Sequence, residues 1–186
     1  MANAGDMIEH PVTGERFTFL RVAQDTHGEQ LQIDFRVLPH GFAAAEHIHP
    51  RQVEHFQVIS GTLRSRIAGK EQVAGPGEHL SIPAGVPHVW WNPGDDELRV
   101  LLEFRPALKT ESFFETFFGL AQNGKVNKKT GLPNLLWIAV AMRGFRNEMR
   151  LARPPYQVQV ALFSVLAPLG RLLGYRVPRS YPHIGV

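Results

Sequence analysis

Between residues 31 and 37 the chain alternates strictly, with Leu31, Ile33, Phe35 and Val37 separated by Gln32, Asp34 and Arg36. Leu98, Val100, Leu102 and Phe104 repeat the pattern. A period of two is that of a strand with one buried face. Shorter runs at 16–23, 53–60, 62–68, 78–82 and 87–92 are read as further strands, because turn clusters such as Gly75-Pro76-Gly77 and Pro93-Gly94-Asp95 separate them. Many short strands with Gly and Pro punctuation predict an antiparallel sandwich or barrel.

The period changes after Arg105-Pro106. Thr110 is placed to cap a helix carrying Phe113, Phe114, Phe117, Phe118 and Leu120, which should stop at Asn123-Gly124. Leu135, Ile138, Met142, Phe145 and Met149 then recur at helical spacing opposite Arg143, Asn147 and Arg150. A last helix, from about Tyr156, shows an apolar stripe of Val158, Leu162, Val165, Leu169 and Leu172, and Pro168 should break or kink it near Ala167. The expected organisation is a β-barrel over residues 1–106 followed by an α-helical extension over 107–186.

Charge divides the chain at the same place. Residues 1–106 carry 9 Lys+Arg against 14 Asp+Glu, net −5, whereas residues 107–186 carry 11 against 3, net +8. The basic character thus belongs to the extension, and the barrel is its nearest acidic partner. With 186 residues, 44% of them hydrophobic, the chain can fill a core, and its 20% charged residues of mixed sign exclude collagen, coiled coil and polyelectrolyte. The absence of cysteine excludes disulfide scaffolds, thiolate metal sites and thiol nucleophiles, so any metal must be held by nitrogen and oxygen. The opening residues have neither a basic nor an apolar signal region, and a cytoplasmic location is expected.

Candidate chemistry lies in the histidines of the first half. His47 and His49 are two apart, so on a strand both rings project from one face. Glu54 shares parity with the apolar Phe56 and Val58, which puts a carboxylate among inward-facing side chains. Burial there is costly unless a cation or hydrogen bonds compensate it. His88, Trp90 and Asn92 share a parity on the later strand. Three imidazoles and a carboxylate converging in a barrel would be ligands for a first-row divalent ion. Taken alone, a His-x-His pair is more often an exposed strand face, and a lone Glu a solvated one.

The spacing around these residues changes those odds. From Gly41, five residues precede His47-Ile48-His49, four precede Glu54 and six precede Gly61; from Gly77, five precede Pro83-Ala84-Gly85, two precede His88 and three precede Asn92. Both strings resemble, position by position, the two motifs that define the cupin family, and the fifteen residues between them resemble the short bacterial monocupins. The resemblance covers about residues 12–105. It implies a mainly β fold, the double-stranded β-helix or jelly-roll barrel, here with a C-terminal α-helical extension. It also implies that His47, His49, Glu54 and His88 hold one divalent transition metal (Fe, Mn, Ni or Zn). Gly61, Pro83 and Gly85 are scaffold, and Asn92 is a strand-end hydrogen bonder. His55 and His79 have outward parity, while His10, His27, His40 and His183 fall in turns or termini and are left out of the site.

Cupins with this ligand set include flavonol and acireductone dioxygenases, oxalate decarboxylases and oxidases, and isomerases, so family and reaction are separate questions. Phe35, Phe56, Trp90 and Phe104 have inward parity and are expected either to line an aromatic pocket around the metal or to be plain barrel core. Such a pocket favours a planar phenolic or enolic molecule, with quercetinase-like dioxygenase chemistry and Glu54 as general base. The alternatives are a cupin that binds or senses a small ligand without turnover, and a cupin isomerase or decarboxylase. The expected partner is a small molecule, with a homodimer implied by resemblance and no nucleic acid. The apolar stripes of the extension are expected to pack on the barrel or across a dimer, with a membrane-surface contact as the rival.

Overall fold

The computed structural model describes residues 2–43 and 45–176, and His183 lies outside the described residues. In chain order the elements are β1 (Met7–His10), β2 (Glu15–Arg21), β3 (Leu31–Val37), β4 (His47–Ile48), β5 (Val53–Ser60), β6 (Leu63–Ile67), β7 (Lys70–Ala74), β8 (His79–Ile82), β9 (His88–Trp91), β10 (Leu98–Arg105), α1 (Thr110–Gln122), α2 (Leu135–Gly144), β11 (Arg150–Leu151) and α3 (Tyr156–Leu172). The strands form two antiparallel sheets, one in the order β1-β2-β3-β10-β5-β8 and the other β11-β4-β9-β6-β7. This is the mainly β barrel with a helical C-terminal extension that the alternation predicts.

The alternating segments take the central places. In β3 every second residue is buried, and β10 lies between β3 and β5 with Phe104 opposite both Leu31 and Glu54. Phe17, Phe19, Phe35, Phe56 and Phe104 are each under 2% exposed, and burying such a side chain stabilises by roughly 1.5–3 kcal/mol. Three short strands, β1, β7 and β11, were not expected. Each is an edge strand, β1 of the first sheet and β7 and β11 of the second.

The extension departs from its expected form in four ways. Thr110 is the first helical residue rather than the cap, and its hydroxyl accepts a 2.7 Å hydrogen bond from Gln52 Nε2 instead. Helix α1 does end at Asn123, followed by Gly124 at φ +66°. Helix α2, capped by Asn134 through the Trp137 N–H, stops at Gly144, so Phe145 and Met149 lie beyond it and the chain returns to the barrel as β11. Helix α3 runs through Pro168 without a break. A proline inside a helix costs about 3 kcal/mol, and packing on α2 offsets it. At Gly170 a Cβ would stand 2.9 Å from Val140 Cγ2, so the two helices approach as closely as a glycine allows.

The fourth departure concerns which face of α3 is covered. Gln159, Phe163, Ala167 and Gly170 are its buried residues. The stripe read from the sequence as needing cover, Val158, Leu162, Val165, Leu169 and Leu172, is the exposed one. Helical spacing identifies a face but does not say which face a neighbour will take. Helix α1 does pack on the barrel, with Phe118 in the barrel core and Phe113 in a second cluster with α2 and α3. No helix among the described residues is long and apolar enough to cross a membrane.

Candidate metal centre

His47 on β4 stands directly opposite His88 on β9, and Glu54 on β5 stands between Ile82 and Phe104 in the facing sheet. His49 follows β4 at once. All four side chains are buried, and one ligand atom from each lies within 4.8 Å of the others. Strand parity and pairing therefore bring together residues 41 positions apart.

The imidazoles are held in one tautomer. The Nδ1 of His47 is 2.8 Å from the Ala45 carbonyl, that of His88 is 2.9 Å from the Val86 carbonyl, and that of His49 is 2.6 Å from the Glu148 carbonyl. A carbonyl oxygen has no proton to give, so each Nδ1–H donates and each Nε2 is turned to the centre. This is the outer-shell arrangement that orients metal-bound histidines. The third carbonyl comes from the extension, where Arg150 and Leu151 of β11 pair with Ile48 and His47. The helical segment thus adds both an edge strand and a proton acceptor to the centre.

The electrostatics suit a cation. Burial, reinforced by the neighbouring His88 and His49, pushes His47 down to about 3, and burial also lowers His49 despite Glu54. For His88 burial pulls downward, but the Glu54 carboxylate outweighs it and the value is raised. Glu54 is the reverse case: burial pushes its carboxyl up, the three imidazoles outweigh that, and it lies below the usual range. Glu54 Oε2 and His88 Nε2 are 2.9 Å apart, yet both are buried with no partner in hydrogen-bonding geometry. Two orphaned polar atoms aimed at one point, with two more imidazole nitrogens beside them, fit a divalent ion. His47, His49, Glu54 and His88 could hold it with donors that first-row metals accept.

The centre opens into a cavity lined mainly by apolar side chains. Of the four aromatic residues proposed from parity, Trp90 lines it, while Phe35, Phe56 and Phe104 are core side chains and do not. Phe104 touches the centre from behind, its ring centroid 5.1 Å from that of His49. The aromatic wall is instead Phe17 with Phe113, Phe114, Phe117 and Phe118 of α1, completed by Ile138, Met142 and Met149. The extension supplies much of the cavity's apolar surface, a role that no period in its own sequence reveals.

Two further residues enter the cavity wall, His10 and Glu15. His10 is not in a turn but at the end of β1, buried, and paired in register with Glu15. Its Nδ1 accepts from the Thr13 N–H and its Nε2 faces the Gly131 carbonyl at 3.2 Å, so both nitrogens are committed and the ring is neutral. Gly131 has φ +70°, and a Cβ there would stand 2.7 Å from Thr13 Cγ2, so only glycine lets this loop close on the barrel. Glu15 accepts a 2.5 Å bond from the Thr13 hydroxyl, and burial raises its carboxyl to about 7. Its inward parity with Phe17 and Phe19 is the signal that would have found it.

The remaining assignments hold. His55 bonds Ser81 on the outer side, and His79 is exposed. His27 and His40 have positive φ in turns. Asn92 Nδ2 donates to the carbonyls of Val37, Leu38 and Asp96, which makes it a strand-end hydrogen bonder.

Comparison with known proteins finds similarity over the barrel. Residues 34–104 match the Cupin_2 family, described as the cupin domain. Over these residues the barrel is similar to cupin domains. Two curated relatives overlap it: the mannose-1-phosphate guanylyltransferase ManC of Salmonella typhimurium, 33% identical over 67 residues, and the mannose-1-phosphate guanylyltransferase of Salmonella montevideo, 30% identical over 74 residues. The matches cover 36% and 40% of this chain but span only 14% and 16% of those enzymes. Among solved structures, a cupin-superfamily sugar phosphate isomerase from Silicibacter pomeroyi is 23% identical with TM-score 0.44, covering 50% of this chain and 60% of that one. An RmlC-like cupin from Shewanella frigidimarina is 18% identical with TM-score 0.49, covering 60% and 93%.

Proposed function

We propose that this cupin is a metal-dependent enzyme that acts on a small, largely apolar molecule bearing a phenolic or enolic oxygen, with dioxygenase chemistry as the reaction. One observation carries the reading: His47, His49 and Glu54 open onto a cavity walled by Phe17, Trp90 and the phenylalanines of α1, and no Lys or Arg among the described residues lines it. A phosphorylated sugar or a dicarboxylate would enter such a wall without a counter-charge, which is costly. An aromatic or enolic molecule buries its ring against phenylalanine and presents one oxygen to the centre.

His47, His49, Glu54 and His88 would hold the ion, which would supply a Lewis acid able to favour the deprotonated substrate oxygen. Glu54, ionised because the imidazoles hold its carboxyl low, would take the substrate proton when its carboxylate leaves the ion. The Nδ1–H donations to backbone carbonyls turn each Nε2 toward the centre, where His47 and His49 are neutral and His88 would bind once it has shed its proton. Phe113, Phe114 and Phe117 give the cavity an apolar wall. At the other end Glu15, whose carboxyl burial raises to about 7 so that it keeps its proton below neutrality, can offer an O–H to a ligand oxygen.

The test is elemental analysis of untagged protein followed by oxygen uptake with a panel of flavonols and enediols. One equivalent of metal per chain and uptake that depends on Fe or Mn are expected. Tight binding of those compounds without oxygen consumption would overturn the enzyme reading in favour of a ligand-binding cupin.

A further inference from the structure

Helix α3 carries a continuous apolar face that no described residue covers. Val158, Leu162, Val165, Leu169 and Leu172 lie on it at alternating spacings of four and three, with Val165 70% and Leu172 86% exposed. The opposite face is sealed against α2 through Phe163, Ala167 and Gly170, so the exposed stripe is not free to turn inward. At 17 residues the helix is about 25 Å long. A soluble surface seldom leaves so regular a stripe unpartnered.

Charge identifies the partner. From Met149 to Val186 the chain has no Asp or Glu and five arginines, at 150, 153, 171, 176 and 179. Arg150 and Arg153 precede α3, Arg171 is in its last turn and Arg176 follows it. Arg150 lies 3.7 Å over the ring of the half-exposed Tyr156 at the helix start, an aromatic and cation pair of the kind that sits at headgroup depth. A second copy on this face would set arginine ends against arginine ends in either orientation, with no carboxylate from the segment to relieve them. An anionic lipid surface meets both features, taking the leucines and valines between acyl chains and the arginines at its phosphates.

We propose that the exposed face of α3 docks the protein onto anionic membrane surfaces, with the helix lying in the interface plane and the barrel on the water side. The helix does not span, being too short and too little apolar. The docking is independent of the reaction proposed for the barrel.

The test uses the full chain and sucrose-loaded vesicles of phosphatidylcholine with or without 30% phosphatidylglycerol, read by sedimentation. Wild type should pellet with the anionic vesicles, at least about tenfold more than with pure phosphatidylcholine, and the bound fraction should fall as salt rises from about 0.05 to 0.5 M. Val165→Glu with Leu169→Glu should lower the partition at least about tenfold at unchanged melting temperature and metal content. Leu172→Glu, at the most exposed position, is a milder second variant in the same direction. Wild type that stays in the supernatant with both vesicles overturns the proposal, as does a double variant that pellets like wild type. Light scattering that finds a dimer broken by the same substitutions would assign the face to a second copy and equally overturn it.

Discussion

Glu54 and Glu15 start from inward positions on strands of the same sheet, are both buried, and line the same cavity. Glu54 pairs across to Phe104 and so to Leu31, at one end of β3, while Glu15 pairs with Val37 at the other end. Their protonation runs in opposite directions. Three imidazoles hold the Glu54 carboxyl below its ordinary range, whereas Glu15, with only the Thr13 hydroxyl against burial, is raised to about 7. The same side chain is an anion at one end of the cavity and a neutral donor at the other because of what stands within a few ångströms of it.

The sharpest way to break this contrast is to remove the cationic end. His47→Ala with His49→Ala should abolish metal binding measured by elemental analysis, Glu54→Gln should weaken it less, and Glu15→Gln should leave it unchanged. A double histidine variant that keeps a full equivalent of metal would disprove the ligand assignment. The next effect is on the wall between the ends. Trp90 is 5% exposed and its ring centroid is 4.9 Å from that of Phe35, so Trp90→Ala should cost about 3–5 kcal/mol in denaturant unfolding. Metal content should stay near one equivalent while affinity for aromatic ligands drops; unchanged ligand affinity would make Trp90 core alone.

Glu15 itself gives a pH signature. Its carboxyl is raised from 4.5 to about 7 in the fold, so between those values the unfolded chain releases a proton that the native state keeps. Stability is therefore lost as pH rises through this window, by about 3 kcal/mol in all from this group. Glu15→Gln should flatten the urea-midpoint profile between pH 4.5 and 7; an unaltered slope would remove Glu15 as its source. The smallest effect is at the metal end. His47 and His49 are lowered and already neutral near pH 7, whereas His88 is raised and must shed a proton before it can ligate. Metal affinity should rise about tenfold per pH unit around neutrality, with release of one proton, and level off once His88 is neutral. Release of two or three protons in calorimetry would contradict these assignments.

Residues 107–186 show the same limits of local information. The period of two in β3 and β10 made their pairing surface legible, because a strand with one buried face leaves no freedom of parity. His47, His49, Glu54 and His88 were legible through their spacing against glycine and proline. The α3 stripe was visible too, but whether it met protein or solvent depended on α2, whose Val140 faces Gly170 on the other side. His10 was unreadable because its fate rests on the carbonyl of Gly131, 121 residues away.

By itself, then, the amino-acid sequence determined a β-barrel followed by helices and the strands at its centre, which follow from parity and from turn chemistry within a few residues, and it marked the four candidate metal ligands through the resemblance of their spacing to the cupin motifs. Only the tertiary structure decided that Glu148 fixes the His49 tautomer, that α1 rather than Phe35, Phe56 and Phe104 walls the cavity, and that Glu15 keeps its proton. Those outcomes depend on contacts between segments that approach only in the fold, where burial and neighbouring charge act over distances that sequence separation does not record.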